Sequence, residues 1–199
     1  MSADEATIAF YQANAPRWTL NAGQSHSRHL DAFLARLRPG ACILELGCGG
    51  GRDAARMIAR GFAVDATDGT AAMIARAREW HGVTARLMRF DELNANETYD
   101  AVWAHACLLH VARADLPQII AAIWRALRSG GWHYASFKLG NAEGRDGLGR
   151  LHNFPKEDWL NETYQAAGFH VVQGEQFAGK GADGVARDWY ALTVCKEAA

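Results

Sequence analysis

A run of glycines at residues 47–51 (GCGGG) constrains the fold more than any other feature of this sequence. It follows a short apolar run at residues 41–46 (ACILEL), which predicts a buried strand, and it opens a helical stretch at residues 51–60. Glycines let the backbone turn tightly and approach a ligand with no side chain in the way. A strand, a glycine-rich turn and a helix in this order are typical of nucleotide-like ligand sites at the carboxyl edge of a parallel sheet.

Short apolar runs continue to alternate with helical stretches along the chain. Further strands are predicted at residues 62–67, 84–90, 99–104, 132–138, 170–175 and 188–195. Further helices are predicted at residues 4–13, 25–37, 70–80, 116–127 and 155–168, and a glycine-containing loop at residues 139–154. Alternation of this kind implies a three-layer α/β sandwich, in which helices cover both faces of a mostly parallel sheet.

Composition limits the classes of protein to consider. The chain of 199 residues is long enough for one core of full size, and its formal net charge of −1 argues against long nucleic acids as partners. The first ten residues carry Asp4 and Glu5 and lack the apolar run of a secretory signal, and no apolar run is long enough to span a membrane. The four cysteines form no CxxC pair and have no histidine at zinc spacing, so we expect no metal site and a cytoplasmic protein.

Asp68 ends the second predicted strand, 21 positions after Gly47 (68 minus 47). A carboxylate at this point can accept hydrogen bonds from both hydroxyls of a ribose. This combination of a glycine-rich turn and an acidic residue occurs in sites for two types of cofactor, dinucleotides and S-adenosylmethionine. A dinucleotide has to be considered, because the spacing Gly49-x-Gly51-x-x-Ala54 also satisfies the dinucleotide fingerprint. Against a dinucleotide, Asp53 places negative charge in the first helical turn, where a pyrophosphate requires positive potential. Acidic residues near the loop, including Glu45, suit the cationic S-adenosylmethionine better.

The segment ILELGCGGGRDAARMIARGFAVDATDGTAAMIARARE resembles motif I and the following acidic motif of class I S-adenosylmethionine-dependent methyltransferases. The resemblance continues through Phe90-Asp91, YDAVWAHACLLHV and LRSGGWHYASF, and it is closest to small, single-domain members that include tellurite-resistance-type enzymes. It implies a Rossmann-like fold, with a seven-stranded sheet whose last strand is antiparallel. It also implies one methyltransferase domain over residues 1–199, with a helical lid (1–38), a cofactor-binding core (39–138) and an acceptor-side region (139–199).

The resemblance also implies roles for individual residues. Gly47, Cys48 and Gly49 would line the methionine and ribose part, Asp68 would hold the ribose hydroxyls, and Gly69 with Met73 would border the adenine. Phe90 and Asp91 match the pair that flanks the adenine ring, and Ala104 and His105 match residues beside the sulfonium and the acceptor. Tyr11 and Trp18 resemble the aromatic lid residues of such enzymes. An aromatic ring face near the sulfonium cation is favourable, because the ring attracts positive charge. The chain lacks the Asp/Asn-Pro-Pro-Tyr signature, which argues against exocyclic amino groups of bases as acceptors.

Candidates for the acceptor side are basic residues in and around the predicted glycine-containing loop. Lys138, Arg145 and Arg150 fit an anionic acceptor, although Glu143 and Asp146 offset them and an ordinary solvated loop is an equal alternative. Arg187 and Trp189 in the last strand are further candidates. His105 is the candidate acid/base group. His110 is a candidate for contact with the acceptor, and the alternative for His110 is a purely structural role.

We therefore predict in-line displacement at the sulfonium methyl by a small-molecule acceptor. Most of the acceleration would come from alignment of donor and acceptor, which contributes roughly 7–11 kcal/mol, so no single side chain is expected to be indispensable. Two alternatives remain open at this point. One is a nicotinamide-dependent oxidoreductase, and the other is a protein that binds S-adenosylmethionine without catalysis.

Overall fold

The computed structural model describes residues 4–21, 26–181 and 183–198, with side chains for all of these except residues 18–21. The strands are β1 (Cys42–Leu46), β2 (Ala63–Asp68), β3 (Ala85–Leu87), β4 (Tyr99–Ala104), β5 (Leu127–Lys138), β6 (Gly144–Arg145), β7 (Leu151–His152), β8 (Phe169–Lys180) and β9 (Ala186–Lys196). The helices are α1 (Glu5–Asn21), α2 (Leu30–Leu34), α3 (Arg52–Ala59), α4 (Ala71–His81), α5 (Leu116–Ala126) and α6 (Glu157–Ala166). Short 3-10 turns form at Phe90–Glu92 and Leu108–His110.

Seven strands form one sheet in the order β3-β2-β1-β4-β5-β9-β8. Strands β1 to β5 are parallel, whereas β9 lies antiparallel between β5 and β8. The predicted fold class, including the antiparallel last strand, is confirmed. The chain leaves β1 for β2 on one side and reaches β4 on the other, so the carboxyl ends of β1 and β4 flank a topological switch point. Ligands of open α/β sheets bind in the crevice at such a point.

Two helical layers cover the sheet because its parallel strands carry apolar residues on both faces. In β4, Val102 faces the layer of α5 and α6, while Trp103 faces the layer of α2 and α3, and both side chains are fully buried. Continuous burial of this kind is expected of parallel strands, which are covered on both sides. Within the described residues, no helix is long and apolar enough to cross a membrane.

The N-terminal region departs from the prediction in helix length. Helix α1 runs to Asn21, past the predicted end at residue 13, with Pro16 inside it. Pro16 is exposed on the surface of the helix and has no N–H to donate to the preceding turn. The helix predicted at residues 25–37 is reduced to the single helical segment α2, and residue 25 lies outside the described part of the chain.

The C-terminal region contains more strand than predicted. The expected loop at residues 139–154 holds the short hairpin of β6 and β7, whose strands pair Gly144 with His152 and Arg145 with Leu151. Strands β8 and β9 extend beyond their predicted ends and pair as far as Lys180 and Ala186. Strand β3 is shorter than predicted, since the chain enters the 3-10 turn at Phe90. Burial alternates along the second half of β8, but its half-buried positions include Glu175 and Gly179, so the sequence there shows no apolar alternation.

Candidate functional site

The glycine loop after β1 bends through left-handed backbone conformations. Gly47, Gly49 and Gly51 have φ angles of 64°, 54° and 80°, a region that side chains disfavour. At Gly47 there is also no room, since an added Cβ would lie 2.5 Å from the Cβ of Cys107. At Gly49 nothing would lie within 4 Å of an added Cβ, so this glycine faces open space. The loop thus packs against the segment after β4 and exposes bare backbone to the crevice.

Asp68, the last residue of β2, is bonded to this loop. Its Oδ2 accepts a 2.9 Å hydrogen bond from the amide of Gly49, and its Oδ1 accepts from the amide and hydroxyl of Thr70 at 2.9 and 2.7 Å. Burial raises the pKa of the Asp68 carboxyl, although these hydrogen bonds oppose the rise. The carboxylate therefore joins the loop to the start of α4 at the edge of the crevice.

Two further carboxylates lie beside the loop. Glu45 in β1 is 3% exposed, and one of its oxygens, Oε2, has no hydrogen-bond partner among the described residues. Burial, and after it the charges of Asp53 and Asp68, raise its pKa well above the usual range. Asp53 in the first turn of α3 accepts hydrogen bonds from the Ser27 amide at 2.8 Å and from the Trp103 indole at 3.0 Å. Asp53 is thus committed to the fold, while Glu45 faces the crevice with an unused acceptor.

The first helix closes over the crevice through a chain of hydrogen bonds. The Arg150 guanidinium donates to the hydroxyl of Tyr11 at 2.7 Å, and that hydroxyl lies 2.9 Å from Nε2 of His110. Nδ1 of His110 lies 2.6 Å from the carbonyl of Leu151, which can only accept, so Nδ1 carries the ring proton and Nε2 accepts from Tyr11. Burial, with His152 nearby, lowers the pKa of His110 to about 3, which keeps the ring neutral.

Arg150 is held in turn by the hairpin of β6 and β7. Its guanidinium donates to Oδ2 of Asp146 at 2.5 and 3.1 Å, and the Arg150 and Asp146 side chains are 2% and 0% exposed. Burial opposes ionisation of Asp146, but the hydrogen bonds from Arg150 lower its pKa to about 2. His152 completes the cluster with Nε2 at 3.2 Å from the same carboxylate oxygen. Arg150 is therefore a fixed cation beneath the lid helix.

His105 follows β4 and lies where the lid, the sheet and the crevice meet. Its Nδ1 is 3.3 Å from the hydroxyl of Ser27 and 3.2 Å from that of Ser136 in β5. Ser136 also accepts the amide of Ala106, a residue with a left-handed φ of 52°. Burial lowers the pKa of His105 to about 4, so the imidazole is neutral at pH 7. A neutral ring offers one donor and one acceptor nitrogen to a ligand.

These elements enclose a cavity of about 790 Å³ at the carboxyl edge of the sheet. This volume lies in the range of small-molecule sites. Most of the residues predicted from sequence line the cavity, namely Tyr11, Glu45, Gly47, Cys48, Gly49, Asp68, Gly69, Met73, Phe90, His105, His110, Lys138 and Arg150. The structure therefore brings together residues from the lid helix, the glycine loop, four strand ends and the hairpin. No set of three or more metal-binding side chains is found within the described part of the chain.

Four predicted site residues do not line the cavity, and the side chain of a fifth is not described. Asp91 is exposed in its 3-10 turn, and the side chain of Ala104 is buried in the core on the α5 side of the sheet. Arg145 is exposed and pairs with Asp4 at 2.8 Å, which ties the hairpin to the start of α1. Arg187 pairs with Asp183 at 3.2 Å and covers the ring of Phe154. The side chain of Trp18 lies outside the described residues.

Several lining or supporting residues were not predicted from sequence. Ser136 supports His105, Asp146 fixes Arg150, and Lys180 lines the cavity from the end of β8. Ser136 and Lys138 lie two positions apart in one strand, so the period of two places them on the same face of the sheet. Since Lys138 was already a candidate, this spacing could have identified Ser136 from the sequence. Asp146 carried no such signal, because its role depends on the hairpin geometry.

Comparison with known proteins supports a single family. The family model described as a methyltransferase domain matches residues 43–131. No curated protein matches the chain significantly. Among solved structures, the Burkholderia thailandensis 1,6-didemethyltoxoflavin-N1-methyltransferase, bound to 1,6-didemethyltoxoflavin and S-adenosylhomocysteine, is similar with a TM-score of 0.78 and 21% identity, over 97% of this chain and 88% of that one.

Two other solved structures extend the comparison. A Methanosarcina mazei S-adenosylmethionine-dependent methyltransferase has a TM-score of 0.76 and 15% identity, over 88% of this chain and all of that one. The [4+2]-cyclase SpnF has a TM-score of 0.79 and 18% identity, over all of this chain and 98% of that one. At such identities the likeness shows the fold alone, and one of these proteins is described as a cyclase.

Proposed function

Residues 43–131 of this chain belong to the methyltransferase domain family, and we propose that the protein transfers a methyl group from S-adenosylmethionine to a small-molecule acceptor. One observation carries the proposal. The bare backbone of Gly49 is hydrogen-bonded to Asp68 in a cavity whose glycine side also presents the unused carboxylate oxygen of Glu45. This arrangement offers acceptors for a ribose and for a cationic amino-acid end, which are the polar parts of this cofactor.

The lining residues fit the cofactor part by part. Asp68 would hold the ribose hydroxyls, and Glu45 would face the ammonium group, whose positive charge favours an ionised carboxylate. Gly49 leaves room for close approach of the ligand, since nothing lies within 4 Å of the position that a Cβ would occupy. Met73, which is 2% exposed, and Phe90 would border the adenine with apolar surface. The hydroxyl of Tyr11 is occupied by His110 and Arg150, so its ring and not its hydroxyl would meet the ligand.

When bound, the cofactor supplies an activated methyl group on a sulfonium. In the transfer, a nucleophilic atom of the acceptor would bond to the methyl carbon as the carbon–sulfur bond breaks, and sulfur would keep the electron pair. The acceptor releases one proton when its nucleophile carried one. The protein's contribution is then to hold the two reactants in line and exclude water, which the closed lid helix serves. His105, neutral and beside the cavity, would contact the acceptor.

A nicotinamide cofactor fits the same loop less well. A pyrophosphate on the N-terminus of α3 would meet the carboxylate of Asp53, which is 5% exposed and fixed by Ser27 and Trp103. Glu45 and Asp68 place two further carboxyl groups at this side of the cavity beside Asp53. Charge repulsion therefore disfavours a phosphate-bearing ligand here.

Other properties follow as predictions from this proposal. A cavity enclosed by a lid favours a small acceptor over a long nucleic acid. The likeness to tellurite-resistance-type enzymes, the organisation of residues 1–199 as one methyltransferase domain and a cytoplasmic location stay predictions.

A thermal-stability comparison followed by a turnover assay tests the proposal. We expect S-adenosylhomocysteine to raise the melting temperature and NAD to leave it unchanged, because only a ligand that binds the folded state stabilises it. Protein incubated with S-adenosylmethionine and a mixture of small metabolites should then produce S-adenosylhomocysteine. Protection by NAD alone would support the oxidoreductase, and protection by S-adenosylhomocysteine without turnover on any acceptor would support the binding protein without catalysis.

A further inference from the structure

Lys138, the last residue of β5, holds a buried positive charge at the cavity. The residue is 3% exposed and lines the cavity at its acceptor side. Its ammonium lies 5.5 Å from the centre of the Trp189 ring, and no described residue accepts a hydrogen bond from it or forms an ion pair with it. Buried cations are normally paired, because an uncompensated charge in the interior is costly. An ammonium left in this condition at a cavity wall is suited to a ligand that supplies the negative charge.

The nearest carboxylate does not fill this role. Asp183 accepts from the guanidinium of Arg187 at 3.2 Å and from the amide of Val185 at 3.3 Å. Gly181 lies directly beside the ammonium, since a Cβ added there would come within 2.7 Å of the Lys138 Nζ and 2.4 Å of Asp183 Oδ1. The loop between β8 and β9 therefore packs against Lys138 without neutralising it by an ion pair.

A second unpaired donor lies next to Lys138. Trp189 is its partner in the register of β5 and β9, and it lines the same cavity. The indole Nε1 of Trp189 is buried and has no hydrogen-bond partner among the described residues. A buried donor without an acceptor costs about 1–3 kcal/mol, but this nitrogen is closed off from the cavity by its own burial. The Trp189 ring therefore forms a wall beside the ammonium, and Lys138 is the donor that a ligand in the cavity can reach.

The charges that line the cavity are divided between its two sides. The glycine side carries Glu45, Asp53 and Asp68, with Arg52 among them, and the opposite side carries Lys138 and Lys180, while Arg150 on that side is paired with Asp146. Asp4 and Arg89 at the lid are each paired with another residue, Arg145 and Glu5. The division matches a cationic ligand on the first side and an anionic ligand on the second.

We propose that the methyl acceptor is a small organic anion, whose carboxylate binds the ammonium of Lys138 beside the ring of Trp189. This inference rests on the proposed function, because the acceptor is defined by it. Ser136, which supports His105, lies two residues before Lys138 on the same strand face, a separation of about 7 Å. A carboxylate bound at Lys138 therefore lies on the strand face that also supports His105, so the rest of the acceptor would extend towards His105.

NMR of protein labelled with ¹³Cε-lysine tests this inference, with the Lys138 signal assigned from the Lys138→Met variant. The probes are 4-hydroxybenzoate and its neutral twin 4-hydroxybenzamide, each added with and without S-adenosylhomocysteine. We expect the Lys138 signal to shift saturably with the carboxylate and not with the amide. Lys138→Met should bind 4-hydroxybenzoate at least about tenfold more weakly, since a charged hydrogen bond is lost. Lys156→Met, at an exposed position before α6, is the matched control and should bind as the wild type does.

The result that overturns the anion site is a Lys138 signal that 4-hydroxybenzoate leaves unmoved, or that both probes move alike. Because this signal is read in the wild-type protein, the test does not depend on folding of the variant. Calorimetry of the same samples with S-adenosylhomocysteine keeps the two proposals distinguishable. Cofactor binding without a Lys138 response would overturn the acceptor class alone. A Lys138 response without cofactor binding would overturn the proposed function and, with it, the role of the bound anion as methyl acceptor.

Discussion

The amide of Gly49 donates a 2.9 Å hydrogen bond to Oδ2 of Asp68, so the end of β2 fixes the turn that follows β1. Thr70 donates twice to the other oxygen of the same carboxylate. One side chain thus organises two backbone segments that border the cavity. Because this carboxylate is bonded to both segments, we expect Asp68 to affect cofactor binding in two ways: by direct contact and through the geometry of the loop.

Replacing Asp68 is therefore expected to harm cofactor binding more than replacing any histidine. Asp68→Ala should weaken S-adenosylhomocysteine affinity by about tenfold to a hundredfold, the range for loss of a charged hydrogen bond, and His105→Ala should weaken it less. Calorimetric titration measures both. Asp65→Ala is the control, since Asp65 lies on the same strand but pairs with Arg86 and Tyr99. Equal affinity in Asp68→Ala and in the wild type would contradict the assignment.

Alanine substitutions at Gly49 and Gly61 distinguish the effect of backbone strain on stability from the effect of a side chain in the cavity on ligand affinity. Both have positive φ, 54° and 85°, and neither would bring an added Cβ within 4 Å of another residue. Each change to alanine should cost about 1–2 kcal/mol of unfolding free energy through the left-handed backbone. Only Gly49 lines the cavity, so only Gly49→Ala should also lose S-adenosylhomocysteine affinity. Denaturant unfolding and titration measure the pair, and an equal loss of affinity in Gly61→Ala would refute this reading of the loop.

The hydroxyl of Tyr11 should hold the lid helix closed. Tyr11→Phe removes the group between Arg150 and His110, so we expect faster amide hydrogen exchange in the described part of α1 and a loss of about 1–3 kcal/mol in unfolding free energy. Tyr99→Phe is the matched control, because its hydroxyl bonds to Asp65 on β2. That variant should lose stability with no selective effect on α1. Unchanged exchange in Tyr11→Phe would show that the lid closes without this contact.

His133 should make stability depend on pH. The residue is fully buried, with Nδ1 at 2.9 Å from the carbonyl of Val102 and Nε2 at 3.0 Å from the hydroxyl of Tyr164, and burial lowers its pKa to about 4. Below pH 6.5 the unfolded chain takes up a proton that the folded protein refuses until about pH 4. The free energy of unfolding should therefore fall across this window, by about 1.36 kcal/mol for each unit of pKa difference.

The pH dependence is checked by denaturant unfolding of variants between pH 7 and 4. His133→Gln, which can replace both hydrogen bonds, should flatten the fall. Tyr164→Phe removes one of these bonds but no titrating imidazole, so it should lower stability and keep the slope. A His133→Gln profile as steep as that of the wild type would mean that other groups, such as His105, His110 and His152, account for the dependence.

The sequence was informative where a role depends on local conformation. The glycine loop, Asp68 and the helix after it lie at fixed offsets from apolar strands, so their position at the sheet edge followed from pattern alone. The antiparallel place of β9 followed from family resemblance. Ala104 and Asp91 also follow from the resemblance; one side chain lies in the core and the other is exposed, and their contact with a cofactor stays a prediction.

Contacts between distant segments could not be predicted from the pattern. Arg145 meets Asp4 across 141 positions, and Arg150 meets Tyr11 across 139, because the hairpin of β6 and β7 folds back onto α1. The sequence indicated a loop with mixed charges here, whereas the structure forms a buried cluster of Asp146, Arg150 and His152. Burial of these charges depends on tertiary packing, which neither composition nor spacing records.

The central claim is that the cavity binds S-adenosylmethionine and its product. Calorimetric titration of the purified protein with S-adenosylhomocysteine, with NADH as the control ligand, tests it most directly. We predict saturable binding of S-adenosylhomocysteine and none of NADH. Binding of NADH alone would contradict the account and show that the glycine loop, with its Gly49, Gly51 and Ala54 spacing, is a dinucleotide site.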